Sequence, residues 1–300
     1  MVDLKVKLGK LELQNPIVTA SGTFGYGVEY AQFVDLDTIG AITLKSITLK
    51  GKVGNPPPRI AETPSGMMNS IGLENLGLEH LIQSCLPKLD NLKKVKVIAN
   101  IAGHTIEENI ECARELNKQK RVDALELNIS CPNVSSGGLA FCLDLNSVDV
   151  LVRGVRKVYD GSLIVKLSAA VPDVVKLAGV SMEAGADILS LINTIPGVEV
   201  DVEQRKLFFS RGSAGLSGPA IRPIALKAVY EVAKAYQVPI IGMGGIGSLD
   251  DVLKFMIVGA SAVSIGMMNF VRPTIATELV VELREYLSMK KLKLSDLKLQ

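Results

Sequence analysis

Eight short runs of β-branched and aliphatic residues recur along this chain, most of them ending in small or polar residues. They are Ile17–Ala20, Ala41–Lys45, Val97–Asn100, Ala124–Ile129, Leu163–Leu167, Ile188–Ile192, Pro239–Gly242 and Ala262–Gly266. Near-continuous apolar runs suit parallel strands covered on both faces. Helical patterns lie between them. Thr105-Ile106-Glu107-Glu108 is a capping box, followed by Ile110, Ala113 and Leu116 on one stripe. Ser147 is placed to cap a helix carrying Val150, Leu151 and Val155, and Ser248 with Asp251 to open another through Leu253, Phe255 and Met256. Pro273 suits the first turn of a last helix through Leu279, Leu283 and Leu287. Eight strands alternating with helices predict an α/β fold, a (β/α)8 barrel. A doubly wound open sheet is the alternative. It needs a Gly-rich fingerprint after the first strand, and Gly22, Gly25 and Gly27 do not have that spacing.

The run Val2–Leu8 followed by Leu11-Glu12-Leu13 reads as an amino-terminal β-hairpin closing the barrel floor. Three connections are longer than a barrel needs. Residues 46–95 contain Gly54-Asn55-Pro56-Pro57-Pro58-Arg59, a loop rather than a helix. Residues 131–146 contain Ser135-Ser136-Gly137-Gly138, and residues 195–218 alternate like a hairpin. Long connections are commonly lids or binding loops, here expected at the carboxyl-terminal face. With no linker or repeat, residues 1–300 read as one domain.

Net charge is +2, which offers no electrostatic footprint for nucleic acid or an anionic membrane. The amino terminus has no apolar signal core, and no apolar run reaches the roughly 18 residues of a membrane span. A cytoplasmic location is expected. Cys85, Cys112, Cys131 and Cys142 lack paired metal-ligand spacing, and a disulfide framework is not expected at this size. The two histidines, His80 and His104, read as surface residues.

Barrel chemistry lies at the carboxyl ends of the strands. The residues there are Ala20 and Ser21, Lys45 and Ser46, Asn100, Asn128 and Cys131, Lys166, Asn193 and Thr194, Gly244 and Gly245, and Gly266 and Met267. A lone cysteine in an apolar chain is usually a packing residue. A single strand-end lysine commonly pairs with an acid or caps a helix. Two lysines among three asparagines are poorly explained by packing, because unpaired buried polar groups are costly. In Asn128-Ile129-Ser130-Cys131-Pro132-Asn133, two carboxamides flank a thiol at a strand-to-loop junction. Asn128 can bond a planar heterocycle, and a Cys131 thiolate can take a proton from a carbon beside a carbonyl. Gly242–Gly247 and Gly266–Asn269 end the last two strands, where barrels often bind phosphate through backbone N–H groups; tight turns are the plainer explanation. A phosphate anchor, central lysines and carboxamides, and a thiol on a loop suit a phosphorylated planar cofactor with a planar substrate stacked on it. Flavin mononucleotide (FMN) fits.

These motifs resemble the class 1 dihydroorotate dehydrogenases, flavoprotein TIM barrels of pyrimidine (UMP) synthesis. The likeness runs essentially end to end. It includes Ala20-Ser21-Gly22, Thr43-Leu44-Lys45-Ser46, Gly54-Asn55-Pro56, Asn69–Asn75, Asn128–Asn133, Ile192-Asn193-Thr194, Gly215–Pro219 and Gly242–Gly245. Phe24–Gly27 with Glu29-Tyr30, Glu62–Asn69 and Gly215–Ile221 look most like the 1B, NAD-dependent type.

The resemblance implies oxidation of dihydroorotate to orotate, with Cys131 and Lys45 as the catalytic pair: Cys131 removes the C5 proton while a hydride leaves C6 for the flavin. Lys45, Asn69, Ser70, Ile71, Gly72, Leu73, Asn128, Asn133, Asn193 and Thr194 would hold substrate. Ala20, Ser21, Gly22, Lys45, Ser46, Asn100, Asn128, Lys166, Ile192, Gly218, Gly244, Gly245, Gly266 and Met267 would hold FMN, one per chain. Gly266-Met267-Met268-Asn269-Phe270 departs from the family's usual Gly-Thr-Ala-Asn-Phe, so Met267 is credited with a main-chain contact only. The 1B resemblance also implies a partner subunit carrying FAD and a 2Fe-2S cluster, in a heterotetramer of two of each, that passes electrons to NAD. The cysteines of this chain lack the clustered spacing for iron–sulfur. The alternatives are the fumarate-dependent 1A type and a related FMN barrel acting on uracil-type pyrimidines.

Overall fold

The computed structural model describes residues 2–129 and 144–299. Its centre is a closed barrel of eight parallel strands. In chain order these are β3 (Ile17–Thr19), β4 (Ala41–Thr43), β9 (Lys96–Ile101), β10 (Ala124–Asn128), β11 (Ser162–Leu167), β12 (Ile188–Leu191), β17 (Ile240–Met243) and β18 (Ala262–Ile265). Each strand pairs with its sequence neighbour, and β18 closes on β3. All eight strands expected from the apolar runs are present. The open-sheet alternative is excluded by this closure.

The side-chain period of two divides each strand between two environments. Val18, Ala41, Ile98, Ala124, Ile164, Ile188, Ile241 and Ala262, one from each strand, cluster inside the barrel. They pack on Leu8, Leu11 and Leu13 of an amino-terminal hairpin, β1 (Val6–Leu8) and β2 (Leu11–Leu13), which plugs the floor as expected. The intervening residues, such as Leu125, Leu127, Val165 and Leu189, join the larger cluster shared with the surrounding helices. Two residues beyond the apolar floor, the same inward face carries Ala20, Thr43, Asn100, Glu126, Lys166, Ser190, Met243 and Ser264, all buried. The barrel interior therefore changes from hydrocarbon to mainly polar within one layer.

The helices follow their caps with three corrections. Thr105 caps Ile106–Leu116 by accepting from the Glu108 N–H, while the Glu108 carboxylate accepts from His104 rather than from Thr105. Ser248 caps Leu249–Ile257 as expected. The cap of Leu145–Arg156 is Asp144, not Ser147. The Asp144 carboxylate accepts from the N–H groups of Asn146 and Ser147 and also from the Ser147 hydroxyl, so the charged acceptor takes the dipole-favoured position. The last helix, Ile275–Lys290, starts after Thr274 rather than in the turn of Pro273. Arg272 is held extended before the proline, which delays the helix. Its buried face does carry Leu279, Leu283 and Leu287. His80 and His104 are half-buried rather than exposed. No helix of the described residues is long and apolar enough to cross a membrane.

The connection after β4 is richer than its Gly/Pro content indicates. Gly54–Arg59 is a loop, but β5 (Lys50–Lys52), β6 (Ile60–Thr63), β7 (Gly66–Asn69) and β8 (Asn75–Gly77) surround it, and helical turns run over Leu78–Leu89. The connection after β12 contains the expected hairpin, β13 (Ile195–Val198) with β16 (Ser213–Ser217), tipped by β14 (Val200–Asp201) and β15 (Lys206–Leu207). The two connections join in one sheet, ordered β13-β16-β7-β6. Both leave the carboxyl ends of barrel strands, so this sheet belongs to the catalytic face.

At the opposite end, Asp37 gathers the chain ahead of β9, accepting from the N–H groups of Lys93, Lys94 and Val95. Burial pushes its carboxyl up, but these donors outweigh that and hold it below the usual carboxylate value. A lowered folded value contributes stability above the unfolded pKa that is lost as pH falls through the folded one. Asp37→Asn should cost about 1–2 kcal/mol at neutral pH. Urea melts of both proteins should show that deficit shrinking below about pH 4.

Candidate active site

The polar layer of the barrel centres on Glu126, the middle residue of β10. Its carboxylate is 2% exposed and accepts from Asn100 Nδ2 at 2.6 Å and Ser190 Oγ at 2.8 Å. Lys166 Nζ lies 4.0 Å from Glu126 Oε1 and donates to Ser21 Oγ at 3.2 Å. Three neighbouring strands and the end of a fourth thus bring Asn100, Glu126, Lys166 and Ser21 together. Asn100 Oδ1 and Ser264 Oγ are buried with no hydrogen-bond partner among the described residues. Buried acceptors are rarely left so, and unpaired ones in a pocket mark where a ligand atom belongs.

A second group sits one layer higher. Asn128 pairs in register with Lys166 across β10 and β11, and its Oδ1 accepts from Asn193 Nδ2 at 3.2 Å. Asn193 Oδ1 accepts from the Thr194 N–H, which turns the chain out of the barrel. A Cβ on Gly215 would sit 2.3 Å from Thr194 Oγ1, so β16 packs directly on Thr194. Asn69, opposite Gly215 in the β7–β16 pairing, donates to the Gly215 carbonyl at 3.3 Å. The inserted sheet thereby carries Asn69 toward Asn193 and Thr194. Beyond Asn69, Ser70 accepts from Asn55 Nδ2, and the Asn55 N–H bonds the Ile71 carbonyl. Gly72 and Leu73 both take left-handed backbone, an uncommon state for leucine. Lys45 is half-buried beyond the end of β4, its N–H bonded to the Gly25 carbonyl, with Ser46 beside it.

A third group forms a glycine cradle. Gly245, at φ 73°, approaches so closely that a Cβ would lie 2.8 Å from the Gly218 carbonyl oxygen. Gly218, at φ 96°, would place one 2.7 Å from Gly66 Cα and 2.9 Å from Met267 Sδ. A side chain at either position would collide with this packed backbone, so both positions need glycine. The Met267 thioether lies against Gly218, and Met267 caps the short helix Met268–Val271. Gly244 neighbours Ile192, whose N–H bonds the Met243 carbonyl, and Gly266 faces Ala20, whose N–H bonds the Ile265 carbonyl. Gly22 follows, open and at φ 80°. An orphaned acceptor, a buried cation and a backbone cradle fit the edge, ring and phosphate of a flavin nucleotide.

Cys131, Asn133 and Ser135–Gly138 lie outside the described residues. The sequence reading overlooked Glu126, Ser190 and Ser264. The signal was available: each lies two residues from an inward residue of its own strand, at Asn128, Ile188 and Ala262.

The family comparison decides what this mouth belongs to. A family model described as Dihydroorotate dehydrogenase matches residues 3–287. The chain belongs to the dihydroorotate dehydrogenase family. Among similar proteins, the "Dihydroorotate dehydrogenase B (NAD(+)), catalytic subunit" of Thermoanaerobacter sp. (strain X514) is 48% identical over 286 residues, covering 95% of this chain and 94% of the relative. The protein of that name from Bacteroides fragilis is 45% identical over 287 residues, covering 96% and 94%. That from Anoxybacillus flavithermus is 49% identical over 280 residues, covering 93% and 89%.

Neither cysteine within the described residues is a ready base. Burial pushes the Cys85 thiol up, and burial with Glu108 and Glu111 nearby pushes Cys112 to about 12. Both should resist iodoacetamide in the native protein at pH 8 and react once it is unfolded. Peptide mapping by mass spectrometry checks this.

Proposed function

We propose that this chain oxidises dihydroorotate to orotate in pyrimidine biosynthesis as an FMN-dependent catalytic subunit whose partner delivers electrons to NAD. The observation that carries the reading is the three-part mouth: the Asn100–Glu126–Lys166 layer with an orphaned acceptor, the Asn69–Asn128–Asn193–Thr194 group above it, and the Gly218–Gly245 cradle beside Met267. The names of the relatives support the NAD-linked type and the existence of a second subunit.

FMN, when bound, supplies the two-electron acceptor. Its phosphate suits the backbone of Gly244, Gly245, Gly266 and Met267, with Gly218 admitting the close approach. The Lys166 ammonium, buried and directed past Glu126 to Ser21, is the cation available to a ring that gains negative charge. Ala20, Ser21, Gly22, Ser46, Asn100 and Ile192 complete that side. Asn69, Asn128, Asn193 and Thr194, with Lys45, orient the substrate carboxylate and ring amides, since carboxamides offer both donors and acceptors. Ser70, Ile71, Gly72 and Leu73 line the remaining edge, and Asn133 is assigned to the substrate by the family resemblance alone. Cys131 takes the C5 proton of dihydroorotate. The carboxamide group holds the ring in one orientation for that proton transfer, which converts a bimolecular step into an oriented one. The partner carries FAD and a 2Fe-2S cluster in a heterotetramer of two of each chain.

Anaerobic addition of dihydroorotate to the FMN-loaded chain should bleach the flavin band, and NAD alone should not restore it. Reoxidation by fumarate would move the chain to the 1A type. Failure of the folded chain to take up FMN would refute the cofactor assignment. Cys131→Ala should keep FMN and lose about 10²–10⁴-fold in the rate of flavin reduction, read by stopped flow. Cys131→Ser should recover part of that rate, and only at high pH, because a hydroxyl is a much weaker acid than a thiol.

A further inference from the structure

The mouth contains one charged group that the reaction does not require. Glu126 is not placed to touch substrate, yet it is the most connected side chain of the polar layer. Ordinary barrel packing would put an aliphatic side chain here, as Leu125 and Leu127 do on the outward face. A buried carboxylate is retained only where donors and a cation compensate it. Asn100, Ser190 and Lys166 supply that compensation from three other strands.

Two consequences follow from its chemistry. An ionised carboxylate only accepts hydrogen bonds. Glu126 Oε1 therefore obliges Asn100 to turn its NH2 group inward, at 2.6 Å, and to leave Oδ1 for something else. That oxygen is fully buried and has no partner among the described residues. Asn100 thus keeps an acceptor that no group among the described residues satisfies. The second consequence is electrostatic. Glu126 stands 4.0 Å from Lys166 Nζ, too far for a hydrogen bond but close enough to offset much of the ammonium's field. Lys166 makes its hydrogen bond to Ser21 instead, on the side of the strand ends.

We propose that Glu126 is a positioning residue that sets the reduction potential of the bound flavin, by fixing Asn100 as an acceptor and by partly neutralising Lys166. The inference rests on the FMN reading above. The sign follows directly. A negative charge beside a ring that gains electrons disfavours the reduced form, so removing it raises the potential.

The test is a spectroscopic redox titration of FMN-loaded wild type and Glu126→Gln, which keeps the shape and removes the charge. The variant should favour reduced over oxidised FMN by about tenfold more than wild type, an upward shift of about 30 mV for a two-electron couple. An unchanged or lowered potential in a folded, FMN-loaded variant would overturn the proposal and leave Glu126 a packing residue. Should Glu126→Gln not fold, the comparison becomes Lys166→Met against Lys166→Met/Glu126→Gln, in which the second change removes an unpaired buried charge. The double variant should have the higher potential; equal potentials would overturn the proposal. A wild-type chain that takes up no FMN would instead fail the cofactor assignment, before any variant is compared.

Discussion

A carboxylate held inside a closed barrel is the constraint around which this molecule is arranged. Glu126 can be buried only because strands on both sides of β10 compensate it, Asn100 of β9 with a hydrogen bond and Lys166 of β11 with its charge, with the Ser190 hydroxyl of β12 completing the set. Removing one partner of a buried pair typically costs about 3–5 kcal/mol, since the other is left uncompensated. That interdependence holds the polar layer to one arrangement. It also ties the layer to the register of the barrel, because Glu126 pairs with Asn100 and Ile164 in the ladder. A slip of one residue would turn every inward group outward.

The layer beneath makes this arrangement affordable in structural terms. The hairpin residues Leu8, Leu11 and Leu13 seal the floor against Val18, Ile98, Ile164 and Ile241. Hydrocarbon below and polar groups above confine the charged residues to the open end. The loops that emerge there then cooperate. The β6–β7 pair comes from the connection after β4 and the β13–β16 pair from the connection after β12, and neither is a complete sheet alone. Their union delivers Asn69 to the Asn128–Asn193 group and sets Gly66 against Gly218. Residues assigned to substrate and to cofactor are therefore positioned by one inserted sheet.

Much of this was legible along the chain. Apolar runs of four to six residues, separated by capped helical stripes, specify parallel strands covered on both faces, and eight of them close a barrel. The hairpin at the amino terminus, the helices opened by Thr105 and Ser248, and the strand-end positions of Lys45, Asn100, Asn128, Lys166 and Asn193 follow from local pattern alone, because caps and side-chain alternation are short-range effects. The resemblance to the dihydroorotate dehydrogenases was legible in the same strand-end motifs.

Tertiary structure alone decided the rest. Asp144 displaced Ser147 as the cap because the helix begins three residues earlier, where the Asp144 carboxylate accepts from the N–H groups of Asn146 and Ser147. The β6–β7 pair beside Gly54–Arg59 joins a larger sheet because β7 finds its partner in β16, roughly 150 residues away in sequence, a pairing no local pattern encodes. Above all, Glu126 reads locally as one polar residue in an alternating strand. Its burial, its hold on Asn100 and its distance from Lys166 arise only when four strands close around it. Local sequence determined which elements form and which residues reach the mouth; long-range pairing decided which of those residues meet, because hydrogen bonds between strands depend on register and closure rather than on proximity in the chain.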